Sequence, residues 1–274
     1  MAEAALRPKD YKSGLKPIWC PGCGHYAVLN GLVKALAALG LDRDRVALVS
    51  GIGCSSRLPA YVDSYGFHGV HGRGLAVAQG LAVARPDLAV IALGGDGDGF
   101  SIGGNHFIHA CRRNVDITYI AMDNEVYGMT KGQASPTTPM DWDHSKLTPH
   151  GPGIRPFKPA ALALAAGAPW IARGYSGNPN QLAKLLAAAV EHRGFSFLHV
   201  LSQCITYCPE QTDWKAIVSE REDEPVNRAD AAAQLFLAED GFATGLLYAE
   251  PRTPWPPTAP APAADPSLAE AFRP

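Results

Sequence analysis

Residues 88–129 constrain this chain more than any other stretch. They read L-A-V-I-A-L-G-G-D-G-D-G-F-S-I-G-G-N-H-F-I-H-A-C-R-R-N-V-D-I-T-Y-I-A-M-D-N-E-V-Y-G-M. An apolar run from Leu88 to Leu93 stops at Gly94-Gly95-Asp96-Gly97, a helical pattern follows from about Gly104 to Arg113, and a second apolar run from Ile117 to Met122 stops at Asp123-Asn124. That order predicts a βαβ unit. A crossover of this length joins parallel strands, so Asp96 and Asn124 fall at carboxyl ends, where open α/β sheets bind their ligands. One carboxylate (Asp96), one amide oxygen (Asn124) and the carbonyl of Val126 make a donor set for Mg²⁺, which takes few protein oxygens and completes its octahedron from phosphates and water. The glycines remove Cβ atoms where a diphosphate must approach the backbone.

The rest of the chain extends this alternation. Tyr26–Leu39 repeats apolar residues at helical spacing and stops at Gly40; Val46–Ser50 reads as a buried strand. Leu75–Ala84, Pro159–Gly167 and Asn180–His192 read as helices, and Trp170–Arg173 and Ser196–Leu201 as strands. The predicted fold class is therefore α/β, a mostly parallel sheet of five or six strands with helices on both faces. Ser64–Arg73 and Thr130–Pro156 are expected as loops, the longer one as a lid or subunit contact. A helix is expected over Arg228–Glu239. Pro251–Pro274 holds eight prolines in 24 residues and is expected to be an extended arm or a disordered end. These readings divide the chain into an arm (1–15), an α/β domain (16–213) and a C-terminal extension (214–274).

Composition excludes several functions. With 24 Lys+Arg against 26 Asp+Glu and a net charge of −2, there is no footprint for nucleic acid. No apolar run reaches the length that spans a bilayer, and Met1–Tyr11 lacks the core of a signal peptide, so the expected location is cytoplasmic. In that reducing compartment the six cysteines need a role other than disulfides. Cys20 and Cys23 form a C-P-G-C pair in a loop that turns both sulfurs toward one centre. A thioredoxin-like dithiol, a zinc knuckle and an Fe–S cluster all use such a pair. His68 and His71 lie in a glycine-spaced loop before a helix, where imidazoles can donate to phosphate. His106 and His109 lie three apart on a helix, with no third ligand spaced to complete a metal site; Cys111 reads as packing.

The wording G-D-G-D with Asn124 28 positions after Asp96 resembles the thiamin diphosphate signature. With I-G-G-N-H, D-N-E-V-Y-G-M-T-K-G-Q, S-P-T-T and W-C-P-G-C-G, it is similar to the β subunits of the 2-oxoacid:ferredoxin oxidoreductases. The resemblance covers about Lys16–Cys208. It implies that Gly95, Asp96, Gly97, Asp98, Asn124, Val126, Tyr127, Gly128, Met129 and Thr130 contact thiamin diphosphate. Asp96, Asn124 and Val126 would hold its Mg²⁺, with His71 and His68 beside it. It further implies that Cys20, Cys23, Cys54 and Cys204 hold a [4Fe–4S] cluster. Cys204 is carried by S-Q-C-I-T, which departs from the family's S-P-C-[VI]-T at Gln203, and Cys208 is an extra thiol. Arg57, three residues after Cys54, is expected to pair with an anionic group of the 2-oxoacid or of CoA. T-K-G-Q around Lys131 resembles the members that use 2-oxoglutarate, with pyruvate or another 2-oxoacid as the alternative.

The implied reaction is oxidative decarboxylation of a 2-oxoacid with CoA, its electrons leaving through the cluster to ferredoxin. Rival readings are a non-redox thiamin lyase and a zinc-stabilised structural or regulatory subunit. Thiamin enzymes build the site from two α/β modules, and only the diphosphate module is legible here. The implied partner is an α subunit carrying the pyrimidine module and its activating glutamate, in a heterodimer or a dimer of heterodimers.

Overall fold

Long apolar runs bounded by glycine and acidic residues cannot bury themselves alone, and here they pair side by side. The computed structural model describes residues 6–221, 227–237 and 242–256. In chain order the strands are β1 (Val46–Ser50), β2 (Tyr65–His68), β3 (Ala89–Gly95), β4 (Ile117–Asp123), β5 (Val126–Tyr127), β6 (Gln133–Ala134), β7 (Trp170–Tyr175), β8 (Phe195–Leu201), β9 (Ser219–Glu220) and β10 (Ala243–Ala249). The helices are α1 (His25–Ala38), α2 (Gly74–Ala84), α3 (Gly104–Arg113), α4 (Pro159–Ala165), α5 (Pro179–Glu191), α6 (Trp214–Ile217) and α7 (Arg228–Ala232). Eight strands form one sheet in the order β2-β1-β3-β4-β8-β7-β10-β9. From β2 to β7 every pairing is parallel; β10 runs antiparallel to β7 and parallel to β9.

Central strands covered on both faces need apolar side chains at every position. In β1, Ala47 and Val49 face a core built with α2, α3 and α4, whereas Val46 and Leu48 face a second core built with α1 and α5. The same alternation puts Phe195 and Phe197 of β8 in the first core and Leu198 and Val200 in the second. The expected α/β class, with a mostly parallel sheet and helices on both faces, is what the chain adopts. Cys111 is fully buried in the first core, as packing requires. Among the described residues no helix is long and apolar enough to cross a membrane.

Three strands of the sheet lie where no strand was expected. Within the expected loop Ser64–Arg73, β2 runs along the open edge of β1 with all four residues exposed. An edge strand takes its hydrogen bonds from its neighbour's backbone, so it leaves no burial pattern in its own sequence. Past residue 213 the sheet continues through β9 and β10, the latter with Leu247 and Tyr248 buried. The helix expected over Arg228–Glu239 is α7 followed by an irregular turn, Ala233–Leu237; its last residues lie outside the described ones. Of the proline-rich tail, 251–256 has no regular secondary structure and 257–274 is likewise outside.

Asn114 ties this C-terminal stretch to the sheet. It caps α3 in the left-handed conformation (φ 57°), a region that asparagine tolerates better than most residues. Its Oδ1 accepts from Phe195 N at 2.8 Å, and its Nδ2 donates to the carbonyls of Thr253 (2.9 Å) and Arg252 (3.3 Å). Asn114→Ala removes these buried bonds and adds backbone strain, so it should destabilise the fold by about 3 kcal/mol. Asn114→Gly, which accepts the φ, should cost about 1 kcal/mol less, measured as shifts of the urea midpoint.

Candidate functional site

Parallel pairing brings the carboxyl ends of β1, β3, β4 and β8 to one edge of the sheet, in adjacent positions. Four loops leave from there: Gly51–Cys54, Asp96–Gly99, Asn124–Gly128 and Ser202–Cys204. A cavity of about 250 Å³ opens at this edge. It is lined by His71, Gly95, Asp96, Gly97, Asp98, Asn124, Val126, Tyr127, Gly128, Met129 and Thr130, all named from the sequence. Asp96 and Asn124 are 2% and 8% exposed. As placed, Asn124 Oδ1 lies 3.2 Å from Asp96 Oδ1 and 2.7 Å from the Val126 carbonyl oxygen. Three oxygens facing one another suit a cation between them; without one the amide would turn to present its NH₂ group. Burial, and then the neighbouring Asp123, hold the Asp96 carboxyl well above its usual range. A cation would relieve that penalty. Gly97 has a packing reason as well, since a Cβ there would come within 2.1 Å of the Tyr127 ring.

The second aspartate of G-D-G-D acts on the backbone. Asp98, 5% exposed, accepts at one oxygen from Ile52 N (2.9 Å) and Gly72 N (2.7 Å), with His71 Nδ1 2.9 Å away. It thereby fastens the loops after β1 and β2 to the helical turn after β3. His71 is thus held at the cavity wall. His68 is not in that wall: it ends β2, and its Nδ1 lies 3.0 Å from Ser50 Oγ.

The lid expected after β5 reaches back to the acidic centre. Thr137, from S-P-T-T, places its hydroxyl 2.8 Å from Asp123 Oδ1 and 3.2 Å from Asp96 Oδ2. Asp123 Oδ2 in turn meets His199 Nε2 at 2.8 Å, and Arg173 Nε reaches His199 Nδ1 at 3.3 Å. The sequence reading assigned no role to Thr137, Asp123, His199 or Arg173. For Asp123, Arg173 and His199 the signal was a polar residue inside a strand that otherwise reads as apolar; for Thr137 it was the S-P-T-T wording.

Cys20, Cys23, Cys54 and Cys204 line a second cavity of about 430 Å³, together with Arg57, Lys131 and Ile18. Burial, and then the nearby Cys204, Cys54 and Cys20, push the Cys23 thiol up to about 12. Cys54 and Cys204 are raised as well, burial being the main cause. These thiols stay neutral unless a metal centre takes their protons. Among the described residues no three His, Cys, Asp or Glu side chains gather tightly enough for a single metal ion. Four thiols from separate loops that line one cavity are a donor set that could hold a metal centre. Cys208, whose thiol burial raises strongly, packs with Val126 and Trp142.

Both cavities share His25, Cys54, Asn124, Gly128 and Met129, so they are separated by a single wall. His25 was not singled out from the sequence, although it follows Cys23 by two residues. It is 1% exposed, its Nδ1 lies 2.7 Å from Ser202 Oγ, and burial lowers its imidazole to about 4.

An acid, an amide and glycines at the ends of adjacent parallel strands define a thiamin-diphosphate-binding α/β module. Residues 51–200 match the family model described as "Thiamine pyrophosphate enzyme, C-terminal TPP binding domain". The chain belongs to the β subunits of the 2-oxoacid:ferredoxin oxidoreductases. It is 47% identical to the "2-oxoacid:ferredoxin oxidoreductase 2, subunit beta" of Aeropyrum pernix, over 87% of this chain and 82% of that one. Against "2-oxoglutarate oxidoreductase subunit KorB" of Mycobacterium tuberculosis it is 48% identical over 72% of its length, and it spans about half (52%) of that relative. The solved 2-oxoglutarate:ferredoxin oxidoreductase of Magnetococcus marinus superposes with a TM-score of 0.86 at 43% identity, covering 97% of this chain and 89% of that one.

The Asp98 tie generates a test. Asp98→Ala leaves two buried N–H groups without an acceptor, at a cost of about 2–4 kcal/mol, and frees His71. Thiamin diphosphate affinity, measured by titration calorimetry, should fall at least about tenfold. Asp98→Asn keeps an acceptor oxygen and should lie between the variant and the wild type.

Proposed function

We propose that this chain is the β subunit of a 2-oxoglutarate:ferredoxin oxidoreductase, which converts 2-oxoglutarate and CoA to succinyl-CoA and CO₂ and delivers two electrons to ferredoxin. The carrying observation is the wall that the cofactor cavity shares with the four-thiol cavity. A non-redox thiamin lyase has no use for such a neighbour. Bound thiamin diphosphate would stabilise the carbanion left when the 2-oxoacid loses CO₂, and a [4Fe–4S] cluster would supply a one-electron path for the two electrons. This chain's residues do the holding. Asp96, Asn124 and the Val126 carbonyl bind Mg²⁺, Thr137 and Asp98 keep the loops in place, and His71 donates toward the diphosphate. Met122, Met129 and Ile52 line the same cavity and keep water from it. Cys20, Cys23, Cys54 and Cys204 hold the cluster.

The choice of 2-oxoglutarate is supported by relatives named "2-oxoglutarate synthase subunit KorB", one of them 47% identical from Methanothermobacter thermautotrophicus. The Magnetococcus enzyme was solved with 2-oxoglutarate, coenzyme A and succinyl-CoA bound. Arg57 and Lys131 put two cations in the lining of the thiol cavity, where a second carboxylate or a CoA phosphate would arrive. The pyrimidine module and its activating glutamate are assigned to an α subunit. A cytoplasmic location would keep the thiols reduced.

Two experiments test this reading. Serine at Cys20, Cys23, Cys54 or Cys204 should lower iron content from about four atoms per chain, whereas Cys111→Ser and Cys208→Ser should retain it. Stoichiometric zinc in place of iron would sink the assignment. With thiamin diphosphate and Mg²⁺, the complex co-expressed with its α subunit should reduce an acceptor at least about tenfold faster with 2-oxoglutarate and CoA than with pyruvate and CoA. The isolated chain should show no turnover; equal rates from the two preparations would overturn the two-subunit site.

A further inference from the structure

The segment that carries the first two thiols has basic residues and no acidic ones. From Tyr11 to Leu41 there is no Asp or Glu, yet Lys12, Lys16 and Lys34 fall within it, in a chain whose net charge is −2. The fold makes this a continuous surface. Residues preceding Cys20 run back along α1: the Tyr26 hydroxyl donates to the Trp19 carbonyl (3.0 Å), and Lys12 Nζ donates to Asn30 Oδ1 (2.8 Å). Asn30 and Lys34 follow the first residue of α1 by about 7 and about 13 Å of helix rise. Lys9, Lys12, Lys34, Asn30 and Ser176 line a surface cavity of about 540 Å³. Its Ser176 hydroxyl is buried without a hydrogen-bond partner, and a Cβ on Gly24 would lie 2.7 Å from it. The cavity thus abuts the residue that follows Cys23. Between the lysines and the thiols, Leu15 (61%) and Ile18 (66%) are exposed, and Cys20 is exposed too.

We propose that Lys9, Lys12, Lys16 and Lys34, with the exposed Leu15 and Ile18 between them and Cys20, form the docking surface for the electron acceptor, an acidic one-electron carrier protein. The inference rests on reading the four thiols as the ligands of an electron-carrying cluster, and it names where and how the acceptor binds. Electron transfer needs a close approach to the exposed side of the cluster, and Cys20 with Ile18 provides it. A carrier that must bind, accept one electron and leave uses a small interface, so charge complementarity sets the encounter rate more than buried area does. Lysines on flexible stems beside a small exposed apolar pair match that requirement, since they steer an acidic partner without locking it.

The test uses the complex with its α subunit, supplied with 2-oxoglutarate and CoA. Turnover is measured with an acidic ferredoxin and, separately, with methyl viologen, a small cation that needs no docking surface. In Lys16→Glu/Lys34→Glu, KM for ferredoxin should rise about tenfold at about 0.02 M salt, and the effect should fade at about 0.3 M. Viologen-linked turnover should equal that of the wild type. An unchanged ferredoxin KM at low salt overturns the proposal. So does loss of the α subunit from the variant on gel filtration, which would make the strip a subunit contact. Absence of viologen reduction by the wild-type complex would overturn the functional reading itself, and the docking surface with it; viologen reduction without the ferredoxin effect removes the docking surface alone.

Discussion

The site depends on the parallel register of four adjacent strands. Ser50 pairs with Leu93, Gly95 with Met122 and Asp123 with Leu201, so β1, β3, β4 and β8 end within a residue or two of the same line. Neighbouring strands lie about 4.8 Å apart, which places the loops after all four within about 15 Å along one edge. Asp96 and Asn124 follow the two central ends; the Cys54 and Cys204 loops follow the outer two. A thiamin site and a thiol site on one sheet edge are therefore neighbours by construction, and the wall between them is only as thick as Gly128 and His25 allow. A Cβ on Gly128 would already lie 3.7 Å from Cys204 Sγ.

That edge concentrates unfavourable electrostatics. Asp96, Asp123 and Glu125 are brought together out of water. Burial first, then its acidic neighbours, hold the Glu125 carboxyl well above its usual range. Glu125 is also held at a positive φ of 55°. The structure offsets part of this with donors: the Thr137 hydroxyl, the His199 imidazole backed by Arg173, and backbone N–H groups. The remainder is the kind of perturbation expected where a divalent cation belongs. Because Thr137 lies on the long segment after β6, ordering of that segment and formation of the acidic centre are linked through one hydroxyl.

The thiol cavity poses the opposite problem. Burial raises Cys23, Cys54 and Cys204 there, so these three thiols stay neutral until a metal centre takes their protons. Arg57 and Lys131 line the same cavity, whereas Lys9, Lys12 and Lys34 line a separate one.

The sequence alone determined what depends on local pattern. The βαβ unit, the buried central strands, the helices and the residues at the ends of β3 and β4 were legible because burial on two faces dictates composition, and sharp strand ends demand glycine. The cysteine spacing with the long matching wording was enough to name four thiols as a set. Tertiary structure alone decided the rest. Edge strand β2 and the C-terminal strand β10 owe their existence to open backbone on β1 and β7, which no property of their own side chains announces. Asp98 became a backbone tie, and His68 stood aside from the cavity, because the loops after β1 and β2 converge on the turn after β3. His25, Thr137 and His199 entered the site through contacts spanning 41 to 177 residues, which are set by strand order and not by any spacing along the chain.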